Sequence, residues 1–193
     1  MINLQLPISE QAIRDLKIGD EVAITGTMVT ARDAAHKYIH DNWPDWLHPI
    51  LNNSMIYHCG PVVKKHADGH WSFVAAGPTT SIREEPYEAA VMEHYKVRAV
   101  IGKGGMGEKT LAGLAKSGGV YLHAIGGLAA VLAQCVVKVP NVYMLEELGV
   151  PEAFWQIEVK DFPAVVTMDS HGGSLHKAVK AKSDVVAKRL IFG

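Results

Sequence analysis

The chain reads as an α/β protein with an added antiparallel portion, and three observations carry that reading. From Glu85 onward, short apolar runs alternate with segments of helical spacing, the texture of βαβ units on a partly parallel sheet. Up to about Ala76 the chain is strand-rich instead, with Ala67-Asp68-Gly69 placed as a hairpin turn. No repeat and no low-complexity linker divides the two textures, so one domain over residues 1–193 is expected.

Taken in order, Glu21 to Met28 alternates as a strand, and Thr30-Ala31-Arg32-Asp33 is a cap-like quartet that puts Arg32 in the first turn of a helix. Met55 to Val63 and Trp71 to Ala76 form the hairpin strands. Ser81-Ile82-Arg83-Glu84 reads as a capping box with Arg83 in a first helical turn. Pro86 leaves a second option, in which it opens the helix itself and Arg83 sits in a preceding turn. Helix Tyr87 to Tyr95, strand Arg98 to Ile101, helix Lys109 to Lys116 and strand Val120 to His123 follow. Ala124 to Val137 is the most apolar stretch and reads as a buried helix behind Gly126-Gly127. Strands are expected at Val142 to Leu145, Trp155 to Val159 and Ala164 to Met168. In the last helix Leu175, Val179, Val186 and Leu190 recur opposite Lys177, Lys180, Lys182, Lys188 and Arg189.

Bulk properties exclude several classes. A chain of 193 residues can bury about 70% of its unfolded surface. With 19 Lys plus Arg against 20 Asp plus Glu, no global field attracts nucleic acid, and the basic last helix reads as a solvated face. The opening Met1-Ile2-Asn3-Leu4-Gln5-Leu6-Pro7 lacks the basic and long apolar regions of a secretory signal. Ala124 to Val137 is too short for a bilayer and contains Gln134, so no membrane span is expected. Two cysteines, Cys59 and Cys135, make no disulfide framework, and a cytoplasmic location is the default.

The run from Gly77 to Gly107 carries the chemistry. It sets Thr79, Thr80, Ser81 and Arg83 on one glycine-marked turn and Lys103 on a second, each after a strand and before a helix, where N–H groups and cations converge on an anion. A cation in a first helical turn opposes the dipole by a few tenths to about 1 kcal/mol, so Arg32 and Arg83 call for a negative partner. Either could pair with a local carboxylate such as Asp33, Glu84 or Glu85. Together with Lys103 they point to a small ligand with two carboxylates or a phosphate.

Two commoner nucleotide motifs fail. Gly102, Gly104 and Gly107 satisfy G-x-G-x-x-G, but the acidic residue required roughly 20 positions on is missing from Leu122-His123-Ala124-Ile125-Gly126-Gly127. A P-loop needs Lys then Ser or Thr after Gly107, and Glu108 stands there instead. His36 and His40 share a helix face, but Lys37 holds the place of the metalloprotease glutamate, so they read as ordinary, partly exposed histidines. Asp169-Ser170-His171-Gly172-Gly173 reads as a turn rather than a triad, and Trp43, Pro44 and Trp46 as a hydrophobic lid, a subunit contact or packing.

Gly77-Pro78-Thr79-Thr80-Ser81-Ile82-Arg83, Gly102-Lys103-Gly104, the run Ala124 to Gln134 and Ile157-Glu158-Val159-Lys160-Asp161-Phe162-Pro163-Ala164 resemble the beta subunit, or C-terminal region, of class I fumarate hydratases. Thr25 to Asp33 belongs to the same pattern, so the resemblance covers nearly the whole chain. L-tartrate dehydratase beta subunits are in the same family and are similar around Gly102 to Gly107. The resemblance implies a three-layer β/β/α swivelling domain with a mixed, partly parallel sheet. It implies a lyase of the tricarboxylic acid cycle that hydrates fumarate to L-malate with a [4Fe-4S] cluster.

Residue by residue, Arg32, Arg83 and Lys103 match positions that hold the dicarboxylate, and Thr79 matches the threonine proposed as catalytic base. Because a hydroxyl is a poor base at neutral pH, Thr79 as base or as binding group both stay open. A cluster needs three or four thiolates and this chain has two cysteines, so the resemblance implies a cluster-bearing alpha subunit and a hetero-oligomer, with α2β2 as one arrangement. A non-catalytic module that binds small carboxylates or phosphates is the alternative of another class.

Overall fold

The computed structural model describes residues 1–192. In chain order the elements are β1 (Ile2–Gln5), α1 (Glu10–Arg14), β2 (Glu21–Thr30), α2 (Asp33–Asn42), α3 (His48–Leu51), β3 (Met55–Tyr57), β4 (Val62–Lys65), β5 (Trp71–Ala75), α4 (Glu88–Tyr95), β6 (Ala99–Gly102), α5 (Glu108–Ser117), β7 (Val120–His123), α6 (Ala129–Gln134), β8 (Val136–Tyr143), α7 (Leu145–Leu148), β9 (Phe154–Met168) and α8 (Leu175–Phe192). Short 3-10 turns cover Asp45–Leu47 and Ser81–Glu84.

The seven-stranded sheet runs β1-β2-β3-β6-β7-β9-β8, and β2 also pairs with β9. Strand β2 takes β9 antiparallel along one edge and the parallel strands β1 and β3 along the other. Because β3 continues through β6 and β7 back to β9, the pairing closes on itself, and β1 and β8 remain as outer strands with one neighbour each. This is the mixed, partly parallel sheet of the expected α/β class, with helices on both sides.

Alternation along the parallel strands divides the core. Met55 and Tyr57, Ala99 and Ile101, and Val120 and Leu122 point into one cluster with Trp155, Ile157 and Phe162. Their neighbours Ile56, Val100 and Tyr121 point the other way, against Ile39, Val91, Tyr95, Leu111 and Leu114 of the helices. Strands buried on both faces read as continuous apolar runs, which is why Met55-Ile56-Tyr57 shows no polar alternation.

Several boundaries differ from the sequence reading, each for a local reason. The strand expected from Met55 to Val63 breaks at Tyr57, where His58, Cys59, Gly60 and Pro61 leave the sheet. Its remainder, β4, pairs with β5 as the hairpin. The two strands at 155–159 and 164–168 are one, β9, bent at Asp161 with φ 51. The expected strand at 142–145 lies at 136–143 and pairs antiparallel with β9. The helix expected to be buried at 124–137 is reduced to α6. Only Leu132 and Ala133 of α6 are buried, while Ile125, Leu128, Val131 and Val137 stay exposed, because a helix this short covers the core with one stripe. Trp43 stacks on Tyr95 and Trp46 packs edge-on against Phe154, so both serve packing. No described helix is long and apolar enough to cross a membrane.

Gly26 marks the bulge in β2. Its φ is +125, and a Cβ there would lie 2.8 Å from both the Cβ and the carbonyl of Leu6. Gly26→Ala should therefore cost about 3 kcal/mol, from a backbone conformation closed to L side chains and overpacking against β1's exit. Gly69→Ala, at φ +89 with open space around it, should cost about 1 kcal/mol. Urea unfolding midpoints of the two variants separate these expectations.

Candidate functional site

Strands β2, β3 and β6 are parallel, so their carboxyl ends lie on one side of the sheet. Arg32 follows β2 and Lys103 follows β6 directly. The loop after β5 crosses these ends: Cys59 bridges Pro78 and Thr80 bridges Lys103. The Thr79 amide donates to the His58 carbonyl at 2.6 Å, the Lys103 amide to the Thr79 carbonyl at 3.1 Å, and the Ser81 amide to the Lys103 carbonyl at 3.0 Å. Thr79 and Lys103 are thus brought side by side by main-chain hydrogen bonds.

The two arginines reach the same end of the sheet. Arg83 is exposed and pairs with Asp33 at 2.9 Å, an interaction worth at most about 1 kcal/mol in water. Arg32 is half-buried and pairs with Glu152 at 2.8 Å, and its guanidinium fills the space a side chain on Gly60 would need. Lys103 is half-buried along Gly126 and has no carboxylate partner among the described residues.

Neither capping quartet behaves as the sequence suggests. Arg32 is itself the residue before α2, and no side chain of the quartet caps the helix; the Ala34 amide donates to Glu152 at 2.9 Å instead. Arg83 lies in the 3-10 turn ahead of α4, the second option that Pro86 left open. The glycine turn leads to α5, but the N-terminus of that helix is filled by Glu85, whose carboxylate accepts from the amides of Gly107, Lys109 and Thr110 and from the Thr110 hydroxyl at 2.7–3.2 Å. Both helix starts are satisfied by carboxylates of the chain.

Beneath the turn lies a network that no spacing signal pointed to. Glu88, His36, His58 and Ser81 are fully buried, so His36 is not the partly exposed histidine expected. His58 Nε2 donates to Glu88 Oε2 at 2.9 Å, which leaves Nδ1 to accept from the Ser81 hydroxyl at 2.8 Å. Ser81 Oγ in turn accepts from Tyr121 at 3.0 Å, and Tyr121 Oη accepts from the Gly105 amide at 3.3 Å. His36 donates through Nδ1 to the Arg32 carbonyl at 2.9 Å, and its Nε2 stands 3.2 Å from Glu88 Oε2. Burial opposes a charge on His36, but Glu88 outweighs it and raises the His36 pKa. Burial pushes the His58 pKa down, keeping the ring neutral. Glu88 is held well below the carboxylate range despite its burial, because His36 and His58 stabilise its charge.

His36, His58 and Glu88 are also the one trio among the described residues that could hold a metal ion. Ligands about 2.1 Å from zinc stand roughly 3.4 Å apart, and the 2.9 Å His58–Glu88 separation fits a shared proton better. The Asp169 turn is confirmed as a turn: its carboxylate accepts from the amides of Ile18, His171 and Gly173. The cysteines do not suit an iron–sulfur cluster. Cys59 is in the core with its thiol pushed up to about 12 by burial, and Cys135 closes α6. Two thiols fall short of the three or four a cluster requires.

Glu84 is fully buried and neither of its oxygens has a hydrogen-bond donor. Burial, then Asp33, pushes its carboxyl up to about 8 from an ordinary 4.5. Folding therefore takes up a proton at this residue between those values. Its contribution to stability is complete below 4.5 and declines as pH rises toward 8. Glu84→Gln, neutral throughout, should match the wild type near pH 5 and exceed it by about 3–4 kcal/mol at pH 8, as read by urea unfolding across pH.

A provisionally named class I fumarate hydratase of Geobacillus stearothermophilus is 55% identical over 184 residues, 95% of this chain and 35% of that protein. The chain thus spans about a third of the length of that relative. A provisionally named L(+)-tartrate dehydratase subunit beta of Methanocaldococcus jannaschii is 44% identical over 91% of both chains. The L(+)-tartrate dehydratase subunit beta of Escherichia coli is 38% identical over 89% of this chain and 85% of its own. The family described as Fumarase C-terminus matches residues 1–179, and with these relatives it shows that the chain belongs to the Fumarase C-terminus family.

Proposed function

We propose that this chain is the beta part of a hydro-lyase that interconverts fumarate and L-malate, with Arg32, Arg83 and Lys103 holding the two carboxylates and Thr79 beside the reacting carbons. The observation that carries it is the main-chain pairing of Thr79 with Lys103 at the carboxyl ends of parallel strands, in a chain of this family. Higher identity to the fumarate hydratase favours fumarate. A tartrate dehydratase is the second reading, favoured by near-equal length with the two beta subunits.

The chemistry divides by residue. Of the three cations, Lys103 alone has no carboxylate partner among the described residues, so it gains most from a substrate carboxylate. Arg83 is exposed and weakly engaged by Asp33, so it can turn its fork to the other carboxylate. The Thr79 hydroxyl either moves the carbon-bound proton, with the cations stabilising its alkoxide, or hydrogen-bonds a carboxylate. The family's [4Fe-4S] cluster does not fit the two thiols here. We assign it to a cysteine-bearing alpha partner, and the complete site to the contact between the two, in a cytoplasmic hetero-oligomer.

Purified alone, the chain should be free of iron–sulfur chromophore and of hydratase activity, and should gain both when co-expressed with such a partner. A stoichiometric cluster on this polypeptide by itself would overturn the assignment. In the assembled enzyme, Arg83→Met and Lys103→Met should each lower kcat/KM for fumarate by an amount equivalent to about 2–4 kcal/mol. Lys109→Met, on the exposed face of α5, should stay within about threefold. Thr79→Val should lower kcat by about a hundredfold with little change in KM if the hydroxyl moves the proton, and should raise KM and spare kcat if it only binds.

A further inference from the structure

We propose that Ser81 and His58 are positioning residues, whose buried hydrogen bond sets the Thr79 hydroxyl and the Lys103 ammonium relative to one another. Their role rests on the reading of Thr79 and Lys103 as substrate-facing groups. The geometry is a closed lattice around one turn. His58 holds Thr79 through its carbonyl, while its ring holds Ser81, two residues further on. The Ser81 amide is tied to Lys103, which is tied back to Thr79. Gly102 permits this closeness, since any side chain there would strike Ser81 Oγ.

Glu88, His58 and Ser81 have the residue types and order of a nucleophilic triad, yet all three are fully buried, and the Ser81 oxygen is already occupied by His58 and Tyr121. No reacting carbon can reach it. What the chain of bonds can transmit is position. Tyr121 extends it to the Gly105 amide, so both glycine turns are fastened to the same hydroxyl. The side chains of Arg32 and Arg83 are held separately, by Glu152 and Asp33. Loss of the Ser81 bond should therefore disturb Thr79 and Lys103 more than the arginine clamp.

Two measurements on Ser81→Ala and on the milder Tyr121→Phe test this. In the free chain, hydrogen exchange at the Thr79, Ser81 and Lys103 amides should accelerate at least tenfold in Ser81→Ala, with Met28 and Ile157 in the β2–β9 ladder within twofold. In the assembled enzyme, kcat/KM should fall at least tenfold, and Tyr121→Phe should show the same loss more weakly. His58→Asn and His58→Leu supply the control. Both leave Glu88 without His58, but the asparagine carbonyl can still accept from Ser81, so His58→Asn should keep at least a tenfold higher kcat/KM than His58→Leu. Equal kcat/KM in these two variants, or unchanged exchange and kcat/KM in Ser81→Ala, would refute the positioning role. A wild-type assembly with no hydro-lyase activity would instead refute the functional reading, leaving the exchange rates to decide whether the Ser81 bond holds Thr79 and Lys103.

Discussion

Glu88 Oε2 is the point on which the site depends, because one buried carboxylate oxygen meets both His36 and His58. His36 belongs to α2, His58 follows β3 and Glu88 opens α4, so three elements converge on a single charge. Removing one member of a buried charge pair typically costs about 3–5 kcal/mol, since the other is left uncompensated. That penalty fixes the register of α2 and α4 against the ends of β2 and β3. Everything that faces solvent at those ends, including Arg32, Thr79, Arg83 and Lys103, is carried on backbone fastened from beneath.

The carboxylates of the chain itself decide how an anion can be recognised. Glu85 at the start of α5 and Glu152 at the start of α2 occupy the donors that a phosphate would otherwise use. A phosphate site built from the glycine turn is thereby excluded at α5, for the same electrostatic reason that Glu108 spoils the P-loop pattern. A small dicarboxylate needs less. Two cationic side chains and a hydroxyl can take both of its ends with charge-assisted bonds, without any helix terminus.

The α/β class, most elements after Glu85 and the Thr79–Arg83 and Lys103 turns were legible because they rest on local signals: period, glycine and strand-then-helix order. Strand Val120–His123 falls where its apolar run predicts. What could not be read was long-range. Glu88 and His58 look like unremarkable polar residues in sequence, and only the pairing of β3 with β6 and the packing of α4 over α2 bring them together. The capping boxes misled for a related reason: Ser81 has the right residue type for a cap, but a tertiary bond to His58 claims its hydroxyl. The four candidate site residues do gather at one end of the sheet, while their roles toward substrate rest on the family.

The exposed apolar side chains around that end complete the physical picture. Ile82 stands beside Arg83, and Ile125, Leu128 and Val131 flank Gly126, over which Lys103 lies. Exposed cations with an apolar surround hold a carboxylate weakly in open water, because each charge is solvated before the ligand arrives. Covering the same groups removes that solvent and strengthens the same bonds without moving a residue. Under the proposed function, a partner surface over this end of the sheet would supply the low dielectric while this chain supplies position and charge, so the strength of the anion clamp would be a property of the assembled site.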